Sequence, residues 1–115
     1  MTARGLLIAA PRSGSGKTTI TLGLQRALSR RGLKVRGLKC GPDYIDPAFH
    51  RLASGRPSLN LDSWTMPPAL LDNLAASASA GADLLIVEGA LGLFDGVASP
   101  AGARGATADL AARYR

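Results

Sequence analysis

The 115 residues suffice for one small domain, and a chain of this length buries roughly two-thirds of the surface that its unfolded form exposes. Apolar residues make up 46% of the chain and aromatic residues 4%, so we expect an aliphatic core. The formal charge of +6 comes from basic residues scattered along the chain rather than from a patch, and no apolar stretch approaches the roughly 20 residues that span a bilayer. We therefore expect neither a nucleic-acid partner nor a membrane partner.

The first 40 residues read as strand, helix, strand. Residues 5–10, GLLIAA, form an apolar run that stops at Pro11, which is typical of a parallel strand covered on both faces. Residues 17–31 carry apolar side chains at helical spacing, and Gly32 follows a basic last turn, so they predict a helix. Residues 33–40, LKVRGLKC, predict the second strand of one crossover unit.

The remaining chain alternates loops, helices and one further strand. Residues 41–64 are rich in proline and glycine and predict a long functional loop with at most one short helix. A helix is expected from Pro68 to about Gly81, followed by a buried strand at residues 83–87, DLLIV. Thr107 is expected to cap a last helix that reaches Arg113. The alternation predicts an α/β fold with a mostly parallel sheet of about three strands and flanking helices, incomplete at its C-terminus.

The stretch APRSGSGKTT, residues 10–19, matches a phosphate-binding loop between a strand and a helix. In the usual GxxxxGK[ST] pattern a glycine stands at the position of Pro11, but proline can shape the exit of the strand without contacting phosphate. Backbone N–H groups at the helix N-terminus would hold the phosphates, Lys17 would reach the β- and γ-phosphates, and Thr18 would bind Mg²⁺. The predicted nucleotide-binding residues are Ser13, Gly14, Ser15, Gly16, Lys17, Thr18 and Thr19.

Arg12 admits two interpretations. It falls where partitioning ATPases of the deviant-Walker type carry a lysine that reaches across a dimer, so it could act in trans on a second subunit. A surface or phosphate-facing side chain is the simpler alternative.

Acidic residues cluster where strands are predicted to end. Glu88, the sole glutamate, directly follows the strand at residues 83–87, at the edge where ligands of open α/β sheets bind, and is a magnesium candidate unless it faces solvent. Asp43 and Asp46 follow the second strand, and with Lys39 and Tyr44 they would form a polar cluster that Asp95 completes. Each aspartate alone fits a turn-capping role equally well.

His50 and Cys40 carry no chemistry in this interpretation. His50 has no cysteine or histidine at zinc-ligand spacing, so we expect it to pack in the core or a loop. Cys40, the sole cysteine, is expected to be a buried residue at a strand end; it excludes an internal disulfide and fits a cytoplasmic protein.

Four motifs in this order, APRSGSGKTT, KCGPDYIDPAFH, LNLDSW and VEGALGLFDG, resemble the N-terminal part of the cobyrinic acid a,c-diamide synthase family, which includes the hydrogenobyrinic acid enzymes. The family is similar to dethiobiotin synthetase in its ATP-binding domain. The resemblance implies ATP-dependent amidation of the a and c carboxylates of the corrinoid acid in cobalamin biosynthesis. ATP would phosphorylate a carboxylate, and ammonia would then displace the phosphate.

The resemblance also implies roles for individual residues. Lys17 and Thr18 would hold ATP and Mg²⁺, with Glu88 and Asp43 as further metal ligands. Asp46, Tyr44 and Asp95 would line the acceptor and intermediate site, and Lys39 and Asp43 complete the set of catalytic candidates.

The family's chains are several times longer and include a glutaminase domain that releases ammonia from glutamine. We therefore expect residues 1–115 to be the N-terminal portion of the synthetase domain, without that glutaminase domain. The isolated chain is expected to have little or no glutamine-dependent activity. A homodimer is possible. Two alternatives stay open: an ATPase switch of the partitioning type, and another acid-amide ligase related to cobyric acid or dethiobiotin synthetase.

Overall fold

The computed structural model of the protein describes residues 3–115. Four strands and four helices alternate along these residues, which confirms the predicted α/β fold. The strands are β1 (Arg4–Ile8), β2 (Val35–Cys40), β3 (Leu59–Leu61) and β4 (Leu84–Glu88). The helices are α1 (Lys17–Arg30), α2 (Asp46–Ser54), α3 (Pro68–Ser79) and α4 (Thr107–Arg113).

All strand pairs in the sheet are parallel, and the strand order is β1-β4-β2-β3. β4 therefore lies between the first two strands of the predicted crossover unit. The register aligns Ile8 with Glu88 and Glu88 with Lys39, so the last residue of β4 is flanked by the ends of both neighbours. This register places Lys39 beside Glu88 at the carboxyl ends of the strands.

The loop predicted over residues 41–64 contains α2, the one short helix that the prediction allowed, but the prediction is wrong in part because the stretch also contains β3. β3 is only three residues long, LNL, and pairs with β2 at the edge of the sheet.

The predicted cap of the last helix is also wrong. Ala106 occupies the N-cap position, and the Thr107 hydroxyl instead accepts the Ala90 N–H at 2.9 Å and donates to the Ala90 carbonyl at 3.2 Å.

The two faces of the sheet pack against different helices. Alternate residues of β2 and β4, among them Leu38, Cys40 and Leu85, form an aliphatic cluster with Leu71 of α3 and Leu110 of α4. The opposite face is covered by α1 and α2. Within residues 3–115, no helix combines the length and apolar character that crossing a membrane requires.

Candidate nucleotide-binding site

The glycine loop between β1 and α1 has the backbone shape that phosphate binding requires. Gly14 and Gly16 adopt positive φ angles of 74° and 91°, a region that favours glycine, and α1 begins immediately afterwards at Lys17. The Ser15 hydroxyl donates a 2.7 Å hydrogen bond to the Arg12 carbonyl and closes the loop, while the Arg12 side chain is exposed. The N-terminal N–H groups of a helix in this setting form an anion site.

The loop that follows β4 packs against the entry of the glycine loop. Leu93 N–H donates to the Ala10 carbonyl at 2.8 Å, and a side chain on Gly92 would come within 2.6 Å of the Pro11 carbonyl oxygen. Lys17 Nζ donates to the Leu91 carbonyl at 2.7 Å. The lysine expected to contact phosphate is thus held beside the glycine loop by a backbone oxygen.

Glu88 receives hydrogen bonds from three elements. Its Oε2 accepts the Thr18 hydroxyl at 2.6 Å and Lys39 Nζ at 2.9 Å, and its Oε1 accepts His50 Nε2 at 2.8 Å. The residue is only 1% exposed, so the alternative of a solvent-facing glutamate is wrong. Burial alone would raise the pKa of Glu88, but the hydrogen bonds from His50, Thr18 and Lys39 outweigh it and lower the pKa to about 2.

Lys39 carries the compensating positive charge. Besides Glu88, its Nζ contacts Asp46 Oδ2 at 2.7 Å and donates to the Gly89 carbonyl at 3.3 Å. Burial alone would lower the pKa of Lys39, but the hydrogen bonds to Asp46 and Glu88 raise it. Asp46 is the weaker acid of the pair, since burial and the nearby Glu88 carboxylate raise its pKa despite the bond to Lys39. One ammonium group is thus shared by two carboxylates.

A cleft of about 580 Å³ joins these parts. Its lining contains the whole predicted nucleotide-binding set and the second-strand residues, namely Ser13, Gly14, Ser15, Gly16, Lys17, Thr18, Thr19, Lys39, Cys40, Gly41, Pro42, Asp43, Asp46, Glu88, Ala90 and Leu91. The geometry therefore brings the glycine loop, Lys39, Asp46 and Glu88 into one concave site.

The other predicted residues lie around this cleft with different contacts. Asp43 Oδ1 accepts the N–H groups of Ile45 and Asp46 at 2.8 and 3.2 Å, which caps the start of α2, while its Oδ2 lies 3.9 Å from Lys39 Nζ. Tyr44 is 89% exposed. Asp95 Oδ2 accepts the Gly92 N–H at 2.8 Å and lines a neighbouring depression beside Pro11. Tyr44 and Asp95 are therefore not brought into the cluster around Glu88.

The donor set suits a magnesium ion that arrives with a nucleotide. Thr18 Oγ1 and the carboxylates of Glu88, Asp46 and Asp43 are hard oxygen ligands, which Mg²⁺ prefers. Among residues 3–115, no three His, Cys, Asp or Glu side chains are placed to hold a metal by themselves. Proteins commonly bind Mg²⁺ through one or two carboxylates plus substrate phosphates, so the residues present fit such a shared site.

Sequence reasoning missed the partners of His50. As expected, His50 is buried, but Nε2 contacts Glu88 and Nδ1 lies 3.0 Å from the side-chain nitrogen of Gln25 on α1. Asp46 and His50 are four residues apart on a helix, so their side chains lie on one face, and this spacing could have indicated that His50 lies near the site.

Cys40 is buried at the end of β2 as predicted, and burial raises the pKa of its thiol to about 12.

Comparisons with known proteins agree with this site. Residues 6–101 match the profile of the family described as the CobQ/CobB/MinD/ParA nucleotide binding domain. The chain is 60% identical over 99% of its length to a hydrogenobyrinate a,c-diamide synthase of Mesorhizobium japonicum, covering 26% of that protein. It is 61% identical over 96% of its length to the Rhodobacter capsulatus protein of the same name, again covering 26%.

The chain thus spans about a quarter of the length of the curated relatives it matches. The resemblance inferred from the four sequence motifs is confirmed by these matches. The matched profile covers residues 6–101, most of the chain, and the chain belongs to the CobQ/CobB/MinD/ParA nucleotide-binding domain family.

Proposed function

We propose that this chain supplies the ATP-binding site of a hydrogenobyrinate a,c-diamide synthase, an ATP-dependent carbon–nitrogen ligase. The observation that carries the proposal is the 2.6 Å hydrogen bond between Thr18, in the glycine loop, and Glu88, at the end of β4, inside a cleft that also holds Lys17 and Lys39. A site built this way joins a phosphate cradle to an acid that can share a cation with it.

In the proposed reaction, an oxygen of the corrinoid a or c carboxylate attacks the γ-phosphorus of ATP. The bond from that phosphorus to the β,γ-bridging oxygen breaks, and ADP leaves. Ammonia, free or released from glutamine, then attacks the carbonyl carbon of the acyl phosphate; phosphate leaves, the nitrogen loses a proton, and a primary amide remains. Two such cycles convert the two carboxylates.

The residues take their roles from their positions. Lys17 and the N-terminal N–H groups of α1 bind the phosphates. Thr18, Glu88 and Asp43 are the proposed ligands of Mg²⁺, which would neutralise charge on the phosphates when bound. Lys39 balances Asp46 and Glu88, and its ammonium group lies where an incoming carboxylate or phosphate would gain a positive neighbour. Tyr44, which is exposed, and Asp95, which lines the neighbouring depression, would contact the acceptor.

Calorimetric titration with ATP and Mg²⁺ tests the nucleotide site. Lys17→Ala should weaken binding by at least about tenfold, because a hydrogen bond to a charged group contributes roughly 1.5–3 kcal/mol. Lys34→Ala is the matched control, since it removes one exposed lysine of the same charge outside the cleft. Equal binding by both variants, or no binding by the unmodified chain, would contradict the proposal.

The acceptor is tested by ADP formation. Hydrogenobyrinic acid with ammonium should stimulate ADP release, whereas DNA and anionic lipid vesicles should not. Stimulation by DNA or vesicles, without stimulation by the corrinoid acid, would instead support an ATPase switch of the partitioning type.

A further inference from the structure

Behind Glu88 lies a row of buried polar side chains that the proposed reaction does not use. His50 of α2 and Gln25 of α1 are both 0% exposed. His50 Nε2 lies 2.8 Å from Glu88 Oε1, and Gln25 Nε2 lies 3.0 Å from His50 Nδ1. The row therefore runs from α1 through α2 to the last residue of β4.

One hydrogen bond of His50 has a fixed direction. The ionised Glu88 carboxylate can only accept, so His50 Nε2 must donate to it. His50 Nδ1 lies against the Gln25 side-chain amide, which acts as donor or acceptor according to its orientation. His50 therefore carries a proton on Nε2 that is directed at Glu88 Oε1.

The backbone of β2 leaves space for these two side chains because residue 37 is a glycine. A Cβ atom added to Gly37 of β2 would lie 2.4 Å from His50 Nδ1 and 2.5 Å from Gln25 Nε2. Gln25 Oε1 has no hydrogen-bond partner among the residues that the structure describes, and leaving a buried polar atom unpaired costs about 1–3 kcal/mol. An aliphatic side chain would avoid that cost, so stability alone does not explain the row.

The two oxygens of Glu88 have separate partners. Oε1 is occupied by His50, and Oε2 faces Thr18 and Lys39 in the cleft. With Oε1 held from behind, the carboxylate cannot rotate freely, and Oε2 stays directed at the glycine loop. Outer hydrogen bonds of this kind orient carboxylate ligands, and their loss typically lowers metal affinity 10–100-fold.

We propose that His50 is a positioning residue for Glu88, and that it sets how strongly Mg²⁺ increases ATP affinity. This inference rests on the proposed function, because it assigns His50 to the same cation site. His50 does not touch the nucleotide and acts only through the Glu88 carboxylate.

The first test measures ATP affinity by calorimetry with Mg²⁺ and again with EDTA. In His50→Phe, which fills the space without donating, the Mg²⁺-dependent gain in affinity should fall about tenfold or more, while affinity in EDTA stays unchanged. His50→Gln, which keeps an N–H donor, should recover most of the gain. Val35→Ala is the control: Val35 is fully buried on the same face of β2 but lies outside the cleft.

Three outcomes would overturn the inference. One is an unchanged Mg²⁺ effect in His50→Phe. Another is an equal loss of affinity with Mg²⁺ and with EDTA, which a purely structural role would produce and Val35→Ala would reproduce. The third is an equal defect in His50→Phe and His50→Gln, which would show that the donor is irrelevant. If the unmodified chain gains no affinity from Mg²⁺, the proposed function fails instead.

The second test needs no substitution in the site and decides the matter even if His50→Phe does not fold. His50 is the sole histidine, so its ring nitrogens can be assigned without ambiguity in a ¹⁵N nuclear magnetic resonance spectrum. The nucleotide-free chain should show a proton on Nε2, in the hydrogen bond to Glu88. An Nε2 without a proton in the unmodified chain would overturn the inference.

Discussion

The two faces of the sheet are filled by different kinds of side chain. Toward α3 and α4 the contacts are aliphatic, with Leu38, Leu61 and Leu85 all less than 8% exposed. Toward α1 and α2 the face begins with Val35 and Ile86 but ends, at the carboxyl ends of the strands, in buried polar and charged groups. Those groups are Thr21, Gln25, Lys39, His50 and Glu88.

This difference separates the residues that mainly stabilise the fold from those that also form the binding site. An aliphatic face gains free energy from burial without directional demands, whereas buried charges are costly unless every partner is present. Here Glu88 finds three donors, and Lys39 finds two carboxylates. We expect substitutions on the aliphatic face to change stability alone and those on the polar face to change stability and binding together.

The largest effect is expected for Lys39→Met. Removing the ammonium group leaves the Glu88 and Asp46 carboxylates without their shared cation, and breaking a buried ion pair on one side costs about 3–5 kcal/mol. Urea unfolding followed by circular dichroism gives the free energy of unfolding. Lys34→Met, at an exposed lysine, is the control. A loss below about 1 kcal/mol in Lys39→Met would show that the polar face tolerates an unpaired charge.

On the aliphatic face, Leu85→Ala should lower the free energy of unfolding by about 2–5 kcal/mol, through lost burial and the cavity it leaves. ATP affinity of the folded fraction should not change, because Leu85 lies outside the cleft. Leu70→Ala, at an exposed position of α3, should change stability by less than about 0.5 kcal/mol. Loss of ATP binding by folded Leu85→Ala would contradict the separation of the two faces.

Gly37→Ala should have an intermediate effect, because the added methyl group would meet His50 and Gln25 across β2. Overpacking of this kind costs about 1–3 kcal/mol, and we expect the Mg²⁺-dependent gain in ATP affinity to fall as well. Gly5→Ala on β1 is the matched control, since its nearest contact would be an ordinary 3.9 Å to the Leu85 carbonyl oxygen. Equal stability of the two variants would mean that His50 moves aside at little cost.

These two faces were not equally predictable from the sequence. The aliphatic runs at residues 5–10 and 83–87 predict buried strands because burial on both faces leaves a continuous apolar pattern. The glycine loop and Glu88 follow from their positions after such runs. Strand order was not predictable, because β4 pairs with β1 and β2 across long stretches of chain.

On the polar face, the spacing of apolar residues predicted the wrong residues to be buried. Apolar spacing in α1 suggests that Ile20 faces inward, yet Ile20 is 56% exposed, and Thr21 and Gln25 are fully buried. Gln25 has a partner on another element, His50, and a pattern that counts apolar residues cannot detect that. The buried Thr21 hydroxyl has no hydrogen-bond partner among the residues that the structure describes. β3 was missed because three residues alternating Leu-Asn-Leu carry too little signal at an edge.

The smallest effect is expected at Asp109 of α4, whose hydrogen bonds to Ser63 and Arg104 form a polar anchor beside the aliphatic face. The prediction tests whether acid destabilises that side of the sheet alone. Burial alone would raise the pKa of Asp109, but hydrogen bonds from the Ser63 hydroxyl at 2.8 Å and from the Arg104 N–H at 2.7 Å lower it. A lowered pKa adds stability above the unfolded value near 4, and this contribution is lost as pH falls through the lowered pKa. Because Asp109 is partly exposed, we expect less than about 1 kcal/mol.

Asp109→Asn should remove that acid dependence below about pH 4, relative to the unmodified chain. Trp64, the sole tryptophan, adjoins Ser63, so its fluorescence reports on the Asp109 anchor, while the ring resonances of His50 report on the other face. At pH 5, where the carboxyl is ionised, the substitution should shift the fluorescence of Trp64 and leave the His50 signals unchanged. A shift of the His50 signals in this variant would show that the anchor and the polar face are coupled through the sheet, and the two faces would then have to be treated as one unit.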